Sequence, residues 1–305
     1  MTFKSIVRDI KLLKIQGASN IATEGIKALI SASNESKAKT TKQFFKEIEK
    51  KKKILFSARP TEPTMRNLVN YTLYNIKYKK LTDIKEIKKI IKLEGKKTIT
   101  IKDEARKKMI NIGKKLINKN SIVYTHCHST SVNDILKAAY KKKKFEVYNT
   151  ETRPKYQGRI TAKELSKTGI KVTHFVDSNM LYAIRECDII LLGTDSITPT
   201  HFYNKIGSSI ILELANKYDT SVYVCSTSFK FNSKTITGHK EKIEQREPKE
   251  VWPNAPKNIK IMNPAFEKLD LNDINGIISE LGVLPPNYFM TEINKKYPWM
   301  LKIHE

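Results

Sequence analysis

The sequence predicts an α/β protein in which an all-helical N-terminal domain precedes a doubly wound domain built on a parallel sheet. Two observations carry this prediction. Apolar residues recur at helical spacing through the first 118 residues, and after Asn120 the pattern changes to short apolar runs, each followed by a helical stretch. We therefore predict domains at residues 1–120 and 121–305, since a 305-residue chain exceeds the usual size of one compact core.

The helices of the first domain are predicted from apolar residues three or four positions apart. Lysine clusters lie between these positions and are typical of solvated helix faces. The apolar residues are Phe3, Ile6, Val7, Ile10 and Leu13, then Ile21, Ile26, Leu29 and Ile30, then Leu68, Val69, Leu73 and Ile76, and finally Ile84, Ile87, Ile90 and Ile91.

The strands of the second domain are predicted from five buried-looking runs, at 121–125, 145–148, 172–176, 188–192 and 221–225. Crossover helices are expected at 131–143, 159–168 and 206–218. In a sheet of this kind ligands bind at the carboxyl ends of the strands, so residues that directly follow each strand are the candidates for function.

The positive charge is unevenly distributed. Residues 1–120 contain 31 Lys and Arg against 11 Asp and Glu, whereas residues 121–305 contain 26 against 20, within a formal net charge of +26. Such an excess favours nucleic-acid binding, but solvated lysine faces explain it equally well. Tyr78 lies among lysines and would suit base stacking, yet Tyr71, Tyr74 and Tyr78 recur at helical spacing, which favours a packed helix face. Nucleic acid is not expected as a partner.

Cysteine usage and hydropathy argue against two other classes, proteins held by disulfides or metal ions and membrane proteins. Cys127, Cys187 and Cys225 are odd in number and lack metal-ligand spacing, so we expect neither a disulfide framework nor a metal centre. No apolar run approaches the ~20 residues of a membrane span, and the N-terminal residues do not resemble a signal peptide. We expect a cytoplasmic protein with no membrane partner.

The first predicted strand ends in a thiol followed by hydroxyl groups. Cys127 lies between two histidines near the start of a helix, and both features lower the pKa of a thiol, so we predict a base or nucleophile, with an inert core cysteine as the alternative. Metal binding by His126, Cys127 and His128 is not expected, because consecutive strand residues point different ways. Ser129, Thr130 and Ser131 either bind an anion at the helix start or simply cap the helix.

Other predicted strand ends carry charged groups. Asp195 follows the fourth strand and serves either as a general acid or as a turn cap. The loop 150–159 after the second strand suits either an active-site loop or a salt-bridged turn. Lys205, next to Asn204, and Lys230 lie where they could clamp phosphate.

Two segments of the first domain add possible anion ligands. Arg59 directly precedes a helix whose first turn carries Pro63, and Gly17 allows a ligand to approach the backbone at a helix junction. Either segment is also explained by capping alone. Taken with the strand ends, they supply cations, backbone donors, a thiol and a carboxyl group, which fits proton transfer on a phosphorylated small molecule.

Motifs along nearly the whole chain carry a family resemblance. They are Gln16-Gly-Ala-Ser19, Ala58-Arg-Pro-Thr61, Thr125-His-Cys-His128, Glu151-Thr-Arg-Pro-Lys-Tyr-Gln-Gly-Arg159, Gly193-Thr-Asp195, Asn204-Lys-Ile-Gly207, Phe229-Lys-Phe231, Asn263-Pro-Ala-Phe266 and Gly282-Val-Leu-Pro-Pro286. In them the chain resembles the superfamily of initiation-factor-2B alpha, beta and delta regulatory subunits and methylthioribose-1-phosphate isomerases, and in particular its archaeal ribose-1,5-bisphosphate isomerases. The resemblance implies a helical domain followed by a Rossmann-like domain.

The resemblance also implies an activity: isomerisation of ribose 1,5-bisphosphate to ribulose 1,5-bisphosphate in AMP and nucleoside salvage. Cys127 would be the base and Asp195 the proton donor or relay. No cofactor is implied, although AMP is implied as an allosteric activator, and the assembly would be a homo-oligomer, either a dimer or a hexamer built as a trimer of dimers. Gln16 stands where the family usually has Arg. The implied substrate-binding residues are Gln16, Gly17, Ala18, Ser19, Arg59, Ser129, Thr130, Ser131, Asn204, Lys205 and Lys230.

Two alternatives stay open. Methylthioribose-1-phosphate isomerases share the Cys and the Asp, so methylthioribose 1-phosphate is the alternative substrate. A non-catalytic regulatory subunit acting in translation is the alternative of another class. Such subunits usually carry other residues at the positions of Cys127 and Asp195, so the presence of both favours an enzyme.

Overall fold

The computed structural model describes residues 1–77, 81–239, 241 and 243–302. They form two compact units. Among the described residues, the helical unit comprises Met1–Glu104, Phe229–Lys234 and residues 294–302, and the sheet unit comprises Ala105–Ser228 and Thr235–Ile293. Tyr78, for which a packed helix face was predicted, lies outside the described residues. Within the described ranges, no helix combines the length and apolar character needed to cross a membrane.

The helices of the helical unit begin at local capping signals. They include α1 (Phe3–Lys11), α2 (Ala18–Glu35), α3 (Thr41–Ala58), α4 (Pro63–Lys77) and the start of α5 (Ile84–Gly113). Thr2 and Thr40 cap α1 and α3, because each side chain accepts a hydrogen bond from a backbone N–H three residues ahead. Pro63 suits the first position of α4, where the backbone N–H has no helical partner in any case. The predicted helices of the first domain are therefore present.

Small residues let these helices pack closely. A Cβ on Gly25 in α2 would lie 2.6 Å from the side chain of Met65 in α4, and one on Gly95 in α5 would lie 2.9 Å from an α2 side chain. Both distances are shorter than real Cβ contacts, so a larger residue would force the facing side chains to shift. Between α4 and α5, the buried hydroxyls of Thr72 and Thr98 hydrogen-bond to each other at 3.0 Å.

The predicted parallel sheet forms the centre of the sheet unit. All five predicted runs are strands, namely β1 (Ile122–Thr125), β2 (Glu146–Thr150), β3 (Lys171–Phe175), β4 (Ile189–Leu192) and β7 (Ser221–Cys225). With β9 (Gly276–Ser279) and β10 (Gly282–Leu284) they form a seven-stranded sheet in the order β10-β9-β7-β4-β1-β2-β3. Each neighbouring pair is parallel except β9 and β10. From β1 the strand order runs outward through β2 to β3, and the chain then returns to place β4 on the other side of β1. Sheets of this kind bind ligands at such a switch point, here between β1 and β4.

A second, smaller sheet was not predicted. It consists of β5 (Ser196–Ile197), β6 (His201–Lys205) and β8 (Phe266–Asp270), antiparallel in the order β5-β6-β8. These strands are short or polar, so they lack the apolar runs that identify the large sheet. The small sheet holds Asn204 and Lys205 next to the carboxyl end of β4.

Helices connect the parallel strands as expected. The connecting helices are α6 (Thr130–Tyr140), α7 (Gln157–Ser166), α8 (Met180–Arg185) and α9 (Ser208–Lys217), and the chain ends in α10 (Pro286–Lys296) and α11 (Trp299–Lys302). The first, second and fourth of these overlap the predicted crossover helices. Val123, Leu136, Val147 and Leu165 are fully buried in the core that α6 and α7 form with the sheet. The predicted fold class, α/β with a helical N-terminal region and a Rossmann-like sheet, is confirmed.

The predicted domain boundary at residue 120 stays a prediction. The compact units divide within α5, between Glu104 and Ala105, and not after it. The reason is that residues in the second half of α5, such as Met109, are buried in the core of the sheet unit. A continuous helix carries no change of composition at such a point, so the sequence gives no signal there.

Candidate active site

Cys127 occupies a strained backbone conformation directly after β1. Its φ of 66° lies in the left-handed region, which costs a residue with a side chain about 1–2 kcal/mol. Two buried threonines hold it there. The backbone N–H of Cys127 donates to Thr152 Oγ1 at 3.0 Å, and its carbonyl accepts from the Thr161 hydroxyl at 2.8 Å. Strain of this kind persists only where the surroundings enforce it, and it is concentrated at functional sites.

The expected lowering of the thiol pKa is wrong. Burial is the largest influence and raises the pKa of Cys127 to about 11, with the charges of Asp195 and Asp177 acting in the same direction. The Lys205 ammonium opposes them and lowers the pKa. The thiol is therefore neutral at pH 7, with roughly one molecule in ten thousand ionised.

His126 is a structural residue and not an activator of the thiol. Its Nε2 lies 3.0 Å from the carbonyl oxygen of Ile206, which can only accept, so Nε2 carries the proton. Nδ1 then accepts from the Thr150 hydroxyl at 2.6 Å, and that oxygen accepts from Tyr124 at 3.2 Å. Burial lowers the pKa of His126, so the ring is neutral. It ties the end of β1 to the segment that follows β6.

Ser129 confirms the capping alternative. Its hydroxyl accepts from the backbone N–H of Val132 at 3.4 Å and so caps α6. Thr130 and Ser131 form the first turn of α6, where backbone N–H groups are available to an anion. A Cβ on Gly193 would lie 2.6 Å from Ser129 Oγ, so glycine at this position allows the end of β4 to approach the start of α6.

Asp195 lies in the turn between β4 and β5. Its backbone N–H donates to the carbonyl of Tyr203 in β6 at 2.9 Å, and the neighbouring Thr194 hydroxyl reaches the same carbonyl at 2.8 Å. This turn is therefore fixed against the small sheet. The side chain is half-buried, and its charge acts on Cys127. The structure thus brings the predicted base and the predicted proton donor into one place.

Asn204 and Lys205 end β6 at the same site. The Asn204 amide donates to Ser208 Oγ at 2.8 Å, and the Ser208 hydroxyl donates to the carbonyl of Lys205 at 2.7 Å, which holds both residues at the start of α9. Lys205 is buried, with its ammonium 4.7 Å from the centre of the Phe266 ring. Its charge is the largest influence that lowers the pKa of Cys127.

The loop after β2 contains a residue that the sequence prediction missed. The side-chain carbonyl of Gln157, at the start of α7, is buried and has no hydrogen-bond partner in the described part of the chain. Buried acceptors are nearly always paired, so an unpaired one near a strand end indicates a place for a ligand donor. Glycine at 158 is required beside it, because a Cβ there would lie 1.7 Å from the carbonyl oxygen of Thr150. The loop motif around Gln157 was the available signal.

Gln16 and its neighbours lie in the helical unit, at the start of α2. The Gln16 amide donates to the carbonyl of Leu13 at 2.7 Å, so this side chain closes the end of α1. Gly17 has a φ of 80° with open space where a Cβ would stand, and no side chain caps α2. Ala18 and Ser19 form the first turn, and the buried Lys102 ammonium lies 3.0 Å from Ser19 Oγ. The backbone here suits an anion, with a cation supplied by Lys102 and not by residue 16.

Arg59 and Lys230 also lie in the helical unit. Arg59 is the C-cap residue of α3, with φ −147° and ψ 81°. Lys230 lies between two phenylalanines whose carbonyl oxygens both accept from the buried Asn67 amide, at 2.8 Å for Phe229 and 2.7 Å for Phe231. These bonds explain why residues 229–234 belong to the helical unit.

Replacing Asn67 tests this anchor. We expect Asn67→Ala to lower the free energy of unfolding by about 2–4 kcal/mol, because two backbone carbonyls lose a buried donor. Asn70→Ala, three residues later in α4, is the control and should change stability by less than about 1 kcal/mol. Urea unfolding followed by circular dichroism measures both. Equal stability of the two variants would contradict the assignment.

Groups of histidine, cysteine and carboxylate side chains that could hold a metal ion are absent from the described residues. His128 Nδ1 lies 3.1 Å from the Thr161 hydroxyl, and His126 is engaged at both ring nitrogens. The consecutive His-Cys-His residues are thus tied to separate partners in the protein.

A doubly wound sheet with a constrained thiol, a carboxyl group and a buried lysine at its ligand-binding edge defines a Rossmann-like protein equipped for proton transfer on an anionic ligand. More specifically, residues 14–286 match the model of the Initiation factor 2 subunit family, and the chain belongs to that family. All the motifs that carry the predicted resemblance, from Gln16 to Pro286, lie within this range.

Named relatives divide between enzymes and translation factors. The chain is 34% identical to "Ribose 1,5-bisphosphate isomerase" of Pyrococcus furiosus, covering 98% of this chain and 95% of that protein. It is 30% identical to "Methylthioribose-1-phosphate isomerase" of a Thermoanaerobacter species, covering 94% and 88%. Among solved structures, a Pyrococcus horikoshii protein described as translation initiation factor eIF-2B superimposes with a TM-score of 0.78 at 25% identity, covering 94% and 98%.

Proposed function

We propose that this chain is an aldose–ketose isomerase that converts ribose 1,5-bisphosphate to ribulose 1,5-bisphosphate. The observation that carries the proposal is the constrained thiol of Cys127, with the charges of Asp195 and Lys205 acting on it. The name of the Pyrococcus furiosus relative, similar over nearly its full length, supports the substrate. A regulatory subunit that only binds a partner has no use for such a thiol.

The reaction needs proton transfer and no change in net oxidation state. A base takes the proton from C2, the bond between C1 and the ring oxygen breaks, and its electron pair stays on that oxygen, which takes a proton from an acid. The enol so formed loses the proton of its C2 hydroxyl and gains one at C1. In this proposal the Asp195 carboxylate first takes the thiol proton of Cys127, the sulfur then removes the proton from C2, and Asp195 gives the proton it has taken to the ring oxygen.

Other residues bind the substrate. The first turn of α6, formed by Thr130 and Ser131, offers backbone N–H groups, and the Gln157 side-chain carbonyl accepts from a sugar hydroxyl. Asn204 and Lys205 hold a phosphate, and Lys205 also stabilises the thiolate. The roles of Gln16, Gly17, Ala18, Ser19, Arg59 and Lys230 as phosphate ligands rest on the family resemblance, with Lys102 added by its contact with Ser19.

The raised thiol pKa predicts the pH dependence. Because the pKa of Cys127 is about 11, the thiolate fraction grows with pH below that value. In the proposed mechanism the thiol proton passes to Asp195, so the reactive form carries as many protons as the resting form, and we expect kcat/KM to stay within about twofold between pH 7 and pH 10 and to fall above the thiol pKa of about 11. Initial rates at several pH values, with stability checked at each, give the profile. A rise of about tenfold per pH unit over this range would instead mean that the thiolate acts without a proton on Asp195.

One parallel assay tests the proposed function. Purified protein is incubated with ribose 1,5-bisphosphate, methylthioribose 1-phosphate or ribose 5-phosphate, each with and without AMP, and the ketose product is measured. Turnover of ribose 1,5-bisphosphate at a kcat/KM at least about tenfold above the others supports the proposal. Turnover of none of the three would point to the regulatory subunit.

Methylthioribose 1-phosphate is the second candidate substrate. The similarity to the Thermoanaerobacter enzyme supports it, and the same proton transfers between C1 and C2 would serve it. The two substrates differ at C5, where one carries a second phosphate and the other a methylthio group. The assay with both compounds therefore distinguishes the candidates by their preference for charge at C5.

We further propose the setting in which the enzyme works. It acts in the cytoplasm in AMP and nucleoside salvage, is activated by AMP, and forms a homo-oligomer, either a dimer or a hexamer built as a trimer of dimers. The family resemblance supports each of these proposals. Light scattering of the purified protein measures the oligomer, and the AMP arms of the assay measure activation.

A further inference from the structure

Thr152 and Thr161 hold Cys127 from two different elements of the sheet unit. Thr152 follows β2 and lies 25 residues from Cys127, and Thr161 lies in α7, 34 residues away. Both are about 1% exposed. Together they occupy the N–H and the carbonyl of a single residue, so both backbone hydrogen bonds of Cys127 depend on side chains distant in sequence.

The direction of each hydrogen bond follows from the available hydrogens. The carbonyl of Cys127 can only accept, so the Thr161 hydroxyl donates its one hydrogen there. Nδ1 of His128, 3.1 Å from the same hydroxyl, must then donate to it. At the other threonine, Oγ1 accepts from the N–H of Cys127 and its hydrogen faces the carbonyl of Thr150 at 3.4 Å. Neither threonine can rotate away without leaving a buried group unpaired.

Thr152 is itself held in place. Its φ is 62°, and its backbone N–H donates to Asp177 Oδ1 at 2.8 Å, while the N–H of Arg153 donates to the other oxygen at 2.7 Å. The acceptor for Cys127 is thus fixed by contact with a half-buried carboxylate that follows β3. Two consecutive strand-end loops are constrained around one thiol.

We propose that Thr152 and Thr161 are positioning residues that set the direction of the Cys127 side chain through its backbone, so that the sulfur meets the substrate carbon. This inference rests on the proposed function. A left-handed conformation at a strand end is easily adopted by glycine, yet the chain has a cysteine here and two buried hydroxyls to enforce the conformation. A turn with only a structural role does not require a thiol at this position. A chemically inert thiol, in turn, does not require the left-handed backbone conformation.

The test compares valine and serine at both positions. Thr161→Val and Thr152→Val remove the hydroxyl and keep the shape, whereas Thr161→Ser and Thr152→Ser keep the hydroxyl. We expect the valine variants to lower kcat about 10- to 100-fold with KM within about twofold, since displacement of a reacting group by about 1 Å costs that much. The serine variants should stay within about threefold of the parent kcat. Thr168→Val, which removes a hydroxyl bonded to Leu165 at the end of α7, is the matched control.

A second readout does not depend on turnover. Iodoacetamide modification of Cys127 at pH 9, followed by mass spectrometry of the peptide, reports the thiol directly, and the buried Cys187 and Cys225 serve as internal references. We expect the rate at Cys127 to change at least about fivefold in the valine variants and to return to the parent rate in the serine variants. Should no sugar phosphate be converted, this readout still tests the positioning role while the proposed function fails.

The outcomes are distinct. Folded valine variants with parent kcat and parent modification rate would overturn the proposal, as would serine variants as impaired as the valine variants. If a valine variant does not fold, alanine is introduced at the same position instead. A folded alanine variant with parent kcat and parent modification rate would also overturn the proposal. If the control Thr168→Val lowered kcat as much as Thr161→Val does, that result would also contradict the proposal.

Discussion

Cys127→Ser is expected to lower kcat for ribose 1,5-bisphosphate about 10²- to 10⁴-fold while the protein stays folded. The hydroxyl occupies the place of the thiol, so the hydrogen bonds from Thr161 and to Thr152, which involve only the backbone of residue 127, are retained. The hydroxyl ionises far less readily than even a buried thiol, so the base that removes the C2 proton is lost. Rates are measured with enough protein to detect a 10⁴-fold loss.

A matched control accompanies this variant. Cys187→Ala removes a buried thiol elsewhere in the sheet unit, just after α8, and should leave kcat within about twofold. Circular dichroism and the unfolding midpoint of both proteins show whether the fold is intact. A folded Cys127→Ser protein with near-parent kcat would mean that the assigned base is wrong, while the isomerase activity itself would stand.

The large sheet was predictable because its strands are apolar runs between turn residues. β4, with its residues Ile189–Leu192 all buried, is such a run. The small sheet was not predictable, since β5 has two residues and β6 contains His201 and Lys205. These strands are held by pairing with each other and by the turn at Asp195, contacts that leave no periodic pattern in the sequence.

The places of the candidate residues at neighbouring strand ends were predictable, but their electrostatics were not. Motif order indicated Cys127, Asp195 and Lys205 at neighbouring strand ends, and the structure brings them together in the sheet unit. The sequence shows that histidines flank Cys127 but not that burial keeps His126 neutral and dominates the thiol pKa. Burial depends on packing of the whole unit, so the predicted direction of the pKa shift was wrong.

Residues that act through long-range contacts were also missed. Thr161 contacts Cys127 across 34 residues of sequence, and a threonine within a helical pattern is indistinguishable from a surface residue. Gln157 stands out only when its buried, unpaired carbonyl is seen. Such residues are identified by the geometry around a candidate group, and not by motif spacing.

Asp195→Asn is expected to change two measurements in opposite directions. The amide cannot supply the proton that the ring oxygen needs, so kcat should fall about 10²- to 10⁴-fold. The backbone bond from residue 195 to Tyr203 does not involve the side chain, so the turn should survive. Burial is the main cause of the raised thiol pKa, but the Asp195 charge adds to it, so removing that charge lowers the pKa of Cys127.

A lower thiol pKa means more thiolate at a given pH, so iodoacetamide should modify Cys127 faster in Asp195→Asn than in the parent, while turnover falls. Asp219→Asn is the control: it removes one negative charge from the same unit at the opposite edge of the sheet, just before β7, at a residue whose left-handed conformation suits asparagine. Asp219→Asn should leave the rate of turnover and the rate of Cys127 modification within about twofold of the parent. Turnover and modification falling together in Asp195→Asn would instead indicate a distorted site, and parent turnover would remove Asp195 from the mechanism.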